Sequence, residues 1–161
     1  VTPVDIGAIA LDTKVVLYAF DGAAGRKHER ARQILRRSSR FGARLPLQVA
    51  AETFRVLTGR FGWDKTSARE TIAALLDDIP HAVTSADSTL AAMALCEAHA
   101  LAFWDALIVT AAAGAGCGAV LTEDLQDGCR FDPPDIVRTM LVINPFDEEN
   151  REVLEAIGVL G

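Results

Sequence analysis

Ala119-Val120-Leu121-Thr122-Glu123-Asp124 reads as a short apolar strand that runs out into two acids. A continuous apolar run of this length marks a strand buried on both faces. Upstream, residues 103–113 have the apolar density of a buried helix, and Gly114, Gly116 and Gly118 supply a helix stop and a turn. A dinucleotide-binding glycine run would follow a strand and open a helix, the reverse of the order here.

The same pattern recurs along the chain. Residues 6–11 form an apolar run closing on Asp12, and a helix over 13–19 follows, capped by Asp12 or Thr13. After a loop of Asp21, Gly22 and Gly25, residues 26–40 predict a helix with Ala31, Ile34 and Leu35 on one side. Strands are expected at 45–47, 81–84, 119–122 and 139–143. Helices are expected at 49–60, 67–76, 88–99 (capped by Asp87 or Ser88) and 103–113. Gly128, Pro133 and Pro134 make 127–135 a loop, and 148–157 an amphipathic or frayed tail helix. Five short strands separated by helices predict an α/β fold, with a five-stranded parallel sheet and helices on both faces. In such a sheet the site lies beyond the carboxyl ends of the strands.

Composition narrows the function classes. The chain has 161 residues, 50% hydrophobic and 24% charged, enough for one domain with its own core. Cys96, Cys117 and Cys129 form no CxxC pair and His28, His81 and His99 do not complete a zinc pattern, so reduced thiols in a cytoplasmic protein are expected. Residues 1–12 lack a basic start and carry Asp5, which predicts no export signal. The apolar stretch 101–121 contains Asp105 and three glycines, so no membrane span is expected. Net charge is −6, against a generic nucleic-acid binder. The charges are segregated, however: Arg26, Lys27, Arg30, Arg32, Arg36, Arg37, Arg40 and Arg44 cluster together, while Asp147, Glu148, Glu149, Glu152 and Glu155 gather at the tail. Arg36, Arg37 and Arg40 are candidate phosphate contacts.

The chemistry sits in acids. Asp12 and Asp124 leave parallel strands at one sheet edge, Asp105 lies in the first turn of an apolar helix, and Glu52 interrupts another apolar helix between Ala51 and Phe54. Each alone has an ordinary explanation as a cap, a dipole-favouring acid or a solvated helix acid. Together they would repel one another unless a cation stood between them, and an oxygen-only ligand set suits Mg²⁺ or Mn²⁺. Two such ions about 4 Å apart could activate water against a phosphodiester. The sequence has no nucleophile elbow for a Ser–His–Asp hydrolase. Aspartyl phosphotransfer of the haloacid-dehalogenase type wants a second Asp where Lys14 stands. Phe103 and Trp104 are expected in core or interface packing.

Four segments carry a family resemblance: Ile9-Ala10-Leu11-Asp12-Thr13, Leu45-Pro46-Leu47-Gln48-Val49 leading to Glu52, Phe103-Trp104-Asp105-Ala106-Leu107-Ile108, and Leu121-Thr122-Glu123-Asp124-Leu125-Gln126-Asp127-Gly128. They resemble the successive motifs of PIN-domain proteins, particularly the VapC-type toxins of toxin–antitoxin pairs, and the likeness covers about residues 7–146. The resemblance implies a single PIN domain over 1–161, with an acidic tail at 147–161, and a Mg²⁺- or Mn²⁺-dependent endoribonuclease acting on RNA. It also implies inhibition by a cognate antitoxin and a homodimer. Asp12, Glu52, Asp105 and Asp124 would be the catalytic, metal-binding acids, with Glu123 and Asp127 secondary. One departure is Lys14, which stands where the first motif usually has Asn or Ser; an ammonium there would compete with a metal for Asp12 or contact RNA phosphate. The rival reading is a non-catalytic PIN fold that binds RNA or protein.

Overall fold

The computed structural model describes residues 5–136 and 138–161. Its elements run β1 (Ala8–Leu11), α1 (Thr13–Tyr18), α2 (Arg26–Arg36), β2 (Ala43–Pro46), α3 (Leu47–Thr58), α4 (Lys65–Asp78), β3 (His81–Ala82), α5 (Ala86–Ala98), α6 (Phe103–Gly114), β4 (Cys117–Leu121), β5 (Arg130–Phe131), β6 (Met140–Ile143) and α7 (Arg151–Ala156). The sheet order is β3-β2-β1-β4-β6-β5. Five strands are parallel, as the sequence pattern predicts, and β5 adds a sixth, antiparallel to β6. Residues 127–135 are therefore not all loop: Phe131 is buried and pairs with Met140, and the prolines turn the chain only after it.

The chain steps from β1 out to β3 on one side of the sheet, then returns across it to β4, so the strand order reverses between β1 and β4. Right-handed crossovers put the helices of the outward path on one face and α5 and α6, which return the chain, on the other. The register makes the reversal useful. Leu11 pairs with Leu121 and Leu121 with Ile143, so the three central strands end level. Asp12 and Thr122 extend them, through Asp12 N–H to the Leu121 carbonyl (3.1 Å) and Thr122 N–H to the Ile143 carbonyl (3.1 Å). This is the switch point at which an open α/β sheet forms its crevice.

Local chemistry explains the remaining boundaries. Pro46 caps α3 with φ −59°, so Leu47 opens the helix and does not close the strand. Ser85, not Asp87 or Ser88, caps α5: its hydroxyl accepts the Ser88 N–H (3.0 Å) while the Ser88 hydroxyl accepts the Ser85 N–H (2.8 Å). α2 stops at Arg36, short of residue 40, and turns bring Phe41 into the core. Gly116 turns the chain between α6 and β4 at φ +85°, and a Cβ at Gly118 would run into the Ile6 carbonyl. The tail is packed: Leu154, Val159 and Leu160 join the same hydrophobic cluster as the sheet, which extends the core past residue 146. Among the described residues, no helix is long and apolar enough to cross a membrane.

Candidate active site

Asp12 occupies the junction of β1 and α1 and is both a cap and a pocket residue. With φ −82° and ψ 162° it sits in extended backbone before the helix, where Oδ1 accepts the Thr13 N–H at 2.7 Å. Oδ2 accepts the Thr122 hydroxyl at 2.6 Å. The side chain is buried, at 5% exposure. Burial pushes its carboxyl up to about 6; the two hydrogen bonds oppose this, and the charges of Asp124 and Asp105 add to it.

The other three acids converge on the same edge. Asp105, in the first turn of α6, shares with Asp12 a small pocket floored by Ile108, Val109, Val120 and Leu125, with Thr122 in its wall. Its carboxyl is raised by burial and by the charges of Asp124 and Glu52, while Lys14 lowers it. Glu52 reaches in from α3: Oε2 accepts the Thr13 hydroxyl (2.9 Å) and Oε1 accepts the Gln48 amide (3.0 Å), which also reaches the Trp104 carbonyl at 3.2 Å. Asp124 follows β4, its N–H donating to Thr122 Oγ1 at 3.1 Å, and its Oδ1 takes the Lys14 ammonium at 2.5 Å.

The donor set, all carboxylate oxygens, fits a hard divalent cation. A second feature fits it as well: the Gln48 Oε1, buried beside Glu52, has no hydrogen-bond partner among the described residues. The acids are near enough to raise one another, yet among the described residues no three acids, histidines or cysteines are arranged to hold a metal ion as they stand. Donors already hold both oxygens of Asp12 (Thr13 and Thr122), both of Glu52 (Thr13 and Gln48) and Oδ1 of Asp124 (Lys14). A cation on Oδ1 of Asp124 would have to displace the Lys14 ammonium.

The secondary candidates divide. Glu123 turns from the pocket to bond Tyr18 OH and the Lys27 ammonium (2.7 Å). Burial would raise its carboxyl, but those two bonds and the charges of Lys27 and Lys14 hold it below the usual range. Asp127 is structural: it accepts the Asn144 N–H (2.7 Å) and the Asn150 amide (2.9 Å to each oxygen), fastening the chain after β6. Arg37 likewise bonds the Gly158 carbonyl (3.1 Å), whereas Arg36 and Arg40 are exposed. Trp104 is not in the core; it is 61% exposed beside Asp105, edge-on to Phe103. Thr13, Thr122 and Gln48 were the functional neighbours that sequence reasoning missed. Their one available signal was position, each being a polar residue at a strand end or helix start next to a candidate acid.

The family model for the PIN domain matches residues 9–126, a span that contains all four acids. No curated protein matches the sequence closely. Among solved structures, the chain is similar to VapC20 of Mycobacterium tuberculosis, described as a sarcin-ricin loop cleaving toxin (20% identity, TM-score 0.59, covering 72% of this chain and 91% of that one). It is similar to a toxin–antitoxin complex from Klebsiella pneumoniae (18%, 0.59, 86% and 98%). It is also similar to VapBC2 from Rickettsia felis bound to a DNA fragment from their promoter (14%, 0.53, 74% and 90%). At these identities the likeness is one of fold.

Proposed function

The chain belongs to the PIN-domain family, and on that premise we propose that it is a Mg²⁺- or Mn²⁺-dependent endoribonuclease, the toxin of a type II toxin–antitoxin pair. The observation that supports the reading is the level ending of β1 and β4, which sets Asp12 beside Thr122, over a pocket shared with Asp105 and within reach of the charge of Asp124. Asp12, Glu52, Asp105 and Asp124 would hold the ion. When bound, it would supply the charge that activates water and steadies the leaving oxygen of a phosphodiester. Thr122 and Thr13 orient Asp12 and Glu52, and the apolar floor of Ile108, Val109 and Leu125 keeps bulk water from the inner carboxylates. An antitoxin partner belongs to this proposal, supported by the toxin–antitoxin complexes among the similar folds; a cytoplasmic RNA substrate and a homodimer belong to it as what the family resemblance implies. So does the assignment of the whole chain to one PIN domain.

The second reading is a PIN fold that binds RNA or protein without cutting, and the contact of Lys14 with Asp124 favours it. Cleavage of a labelled RNA by the purified chain separates the two. A nuclease cuts in Mn²⁺, stops in EDTA, and loses activity in a folded Asp105→Asn variant. Equal cutting in EDTA, or by the variant, contradicts the proposal.

A further inference from the structure

α2 carries most of the basic cluster, but its arginines do not all face solvent to the same purpose. Arg30 is fixed: its side chain is 13% exposed and bonds the Pro145 carbonyl (2.9 Å) and Glu148 (2.6 Å). It floors a cleft with Arg26, Lys27, Phe146 and Glu148. Arg26, Arg30 and Glu148 also line a wider groove along α2, together with Glu29, Gln33, Arg36 and Arg151. The two depressions therefore form one channel. Arg26 and Arg36 are exposed in it and enter no ion pair among the described residues. On a helix rising 1.5 Å per residue they lie about 15 Å apart.

The inner end of the channel lies beside the segment that carries Asp124. Lys27 bonds Glu123, the residue before Asp124, and lies over the rings of Tyr18 (5.1 Å) and Phe146 (5.8 Å), which themselves meet edge to face. Cations along a track and an aromatic ring at its mouth are what a single-stranded polyanion with stacking bases requires. A chain with a net charge of −6 offers such a track only where its basic residues are gathered. We propose that single-stranded RNA enters the acid pocket along this channel, with phosphates on Arg26 and Arg36 and a base against Phe146. The proposal rests on the ribonuclease reading and replaces Arg37, which is engaged with the C-terminal segment, by Arg26 as a phosphate contact.

The test uses a fluorescein-labelled 2′-O-methyl oligonucleotide of about 12 nucleotides, which cannot be cut, and fluorescence anisotropy of the full chain between about 50 and 200 mM salt. Reversing both charges (R26E with R36E) should weaken binding at least tenfold. It should also reduce the slope of log affinity against log salt by about 1.4, near 0.7 per lost single-strand phosphate contact. Phe146→Leu should weaken binding roughly fivefold or more, and Arg69→Glu, on α4 and exposed, should change neither quantity. Circular dichroism verifies that each variant is folded. Wild-type affinity and slope in the double variant, or no binding by the native chain at low salt, overturn the channel. So does loss of binding to an oligo-glutamate peptide with oligonucleotide binding intact, which would make it a protein-docking groove. Cutting of unmodified RNA with unaltered binding by the double variant sinks the channel alone. Channel-dependent binding with no cutting sinks the ribonuclease reading alone.

Discussion

The ammonium of Lys14 stands 2.5 Å from Oδ1 of Asp124, a contact between the first turn of α1 and the loop after β4. The hydrogen bond to Asp124 leads the influences that raise the Lys14 pKa, so the residue is charged at neutral pH. It supplies one positive charge where the acids would otherwise meet a metal. Both side chains are partly exposed (49% and 31%), which limits the pair to about 1 kcal/mol or less. Lys14→Asn should therefore tighten Mn²⁺ binding by about two- to fivefold, read by isothermal titration calorimetry. Equal or weaker affinity would show that Lys14 does not compete with metal.

Asp12 gives the site a pH signature. Its carboxyl, at about 6 in the fold against 3.8 for an unperturbed group, holds its proton more tightly when folded, chiefly because it is buried. Its contribution to stability is then fully present below about pH 4 and is lost as pH rises through about 6. Over that window the loss is on the order of 3 kcal/mol. In metal-free buffer, Asp12→Asn should remove this slope, so that the stability of the variant relative to the native chain rises between pH 4 and pH 7. Urea titrations at the two ends of the window check it. A constant difference between the two proteins would mean that Asp12 is ordinary in its ionisation.

The strands, the helices and the edge at which acids gather were legible because they rest on local patterns: apolar runs ending in Asp12 and in Glu123-Asp124, and helical spacing between them. The convergence of Glu52 and Asp105 was not, since it depends on how α3 and α6 pack across the sheet, and only the resemblance pointed to it. Partner choice lay equally beyond the sequence. The motif resemblance sets Lys14 near Asp12, yet its ammonium reaches Asp124, 110 positions away. Asp127 and Arg37 look like site residues by neighbourhood and serve instead to fasten the loop after β6 and the C-terminus. β5 escaped notice because two residues beside Pro133 and Pro134 carry too little pattern to outweigh a turn signal.

Thr122 holds Asp12 from the neighbouring strand, and removing its hydroxyl leaves a buried carboxylate oxygen without that donor. Thr122→Val, close in shape, should cost about 1–3 kcal/mol at neutral pH, measured by urea unfolding. Because that bond opposes the rise in the Asp12 pKa, the variant should also ionise at higher pH, visible in the carboxyl carbon shift of Asp12. Native-like values in both measurements would contradict a positioning role.

The C-terminal segment should behave as core. Leu154 is fully buried in the main hydrophobic cluster, and the segment is tied to α2 through Arg37 and the Gly158 carbonyl. Leu154→Ala should destabilise the protein by about 2–5 kcal/mol in chemical denaturation. A loss near zero would mark residues 147–161 as an appendage.

Anomalous diffraction from a crystal soaked in Mn²⁺ bears on the main claim without an assay. Density is expected among Asp12, Glu52, Asp105 and Asp124, with carboxylate oxygens roughly 2.1 Å from the ion and the Lys14 ammonium withdrawn from Asp124. An empty pocket at saturating Mn²⁺, with Lys14 still on Asp124, would contradict it.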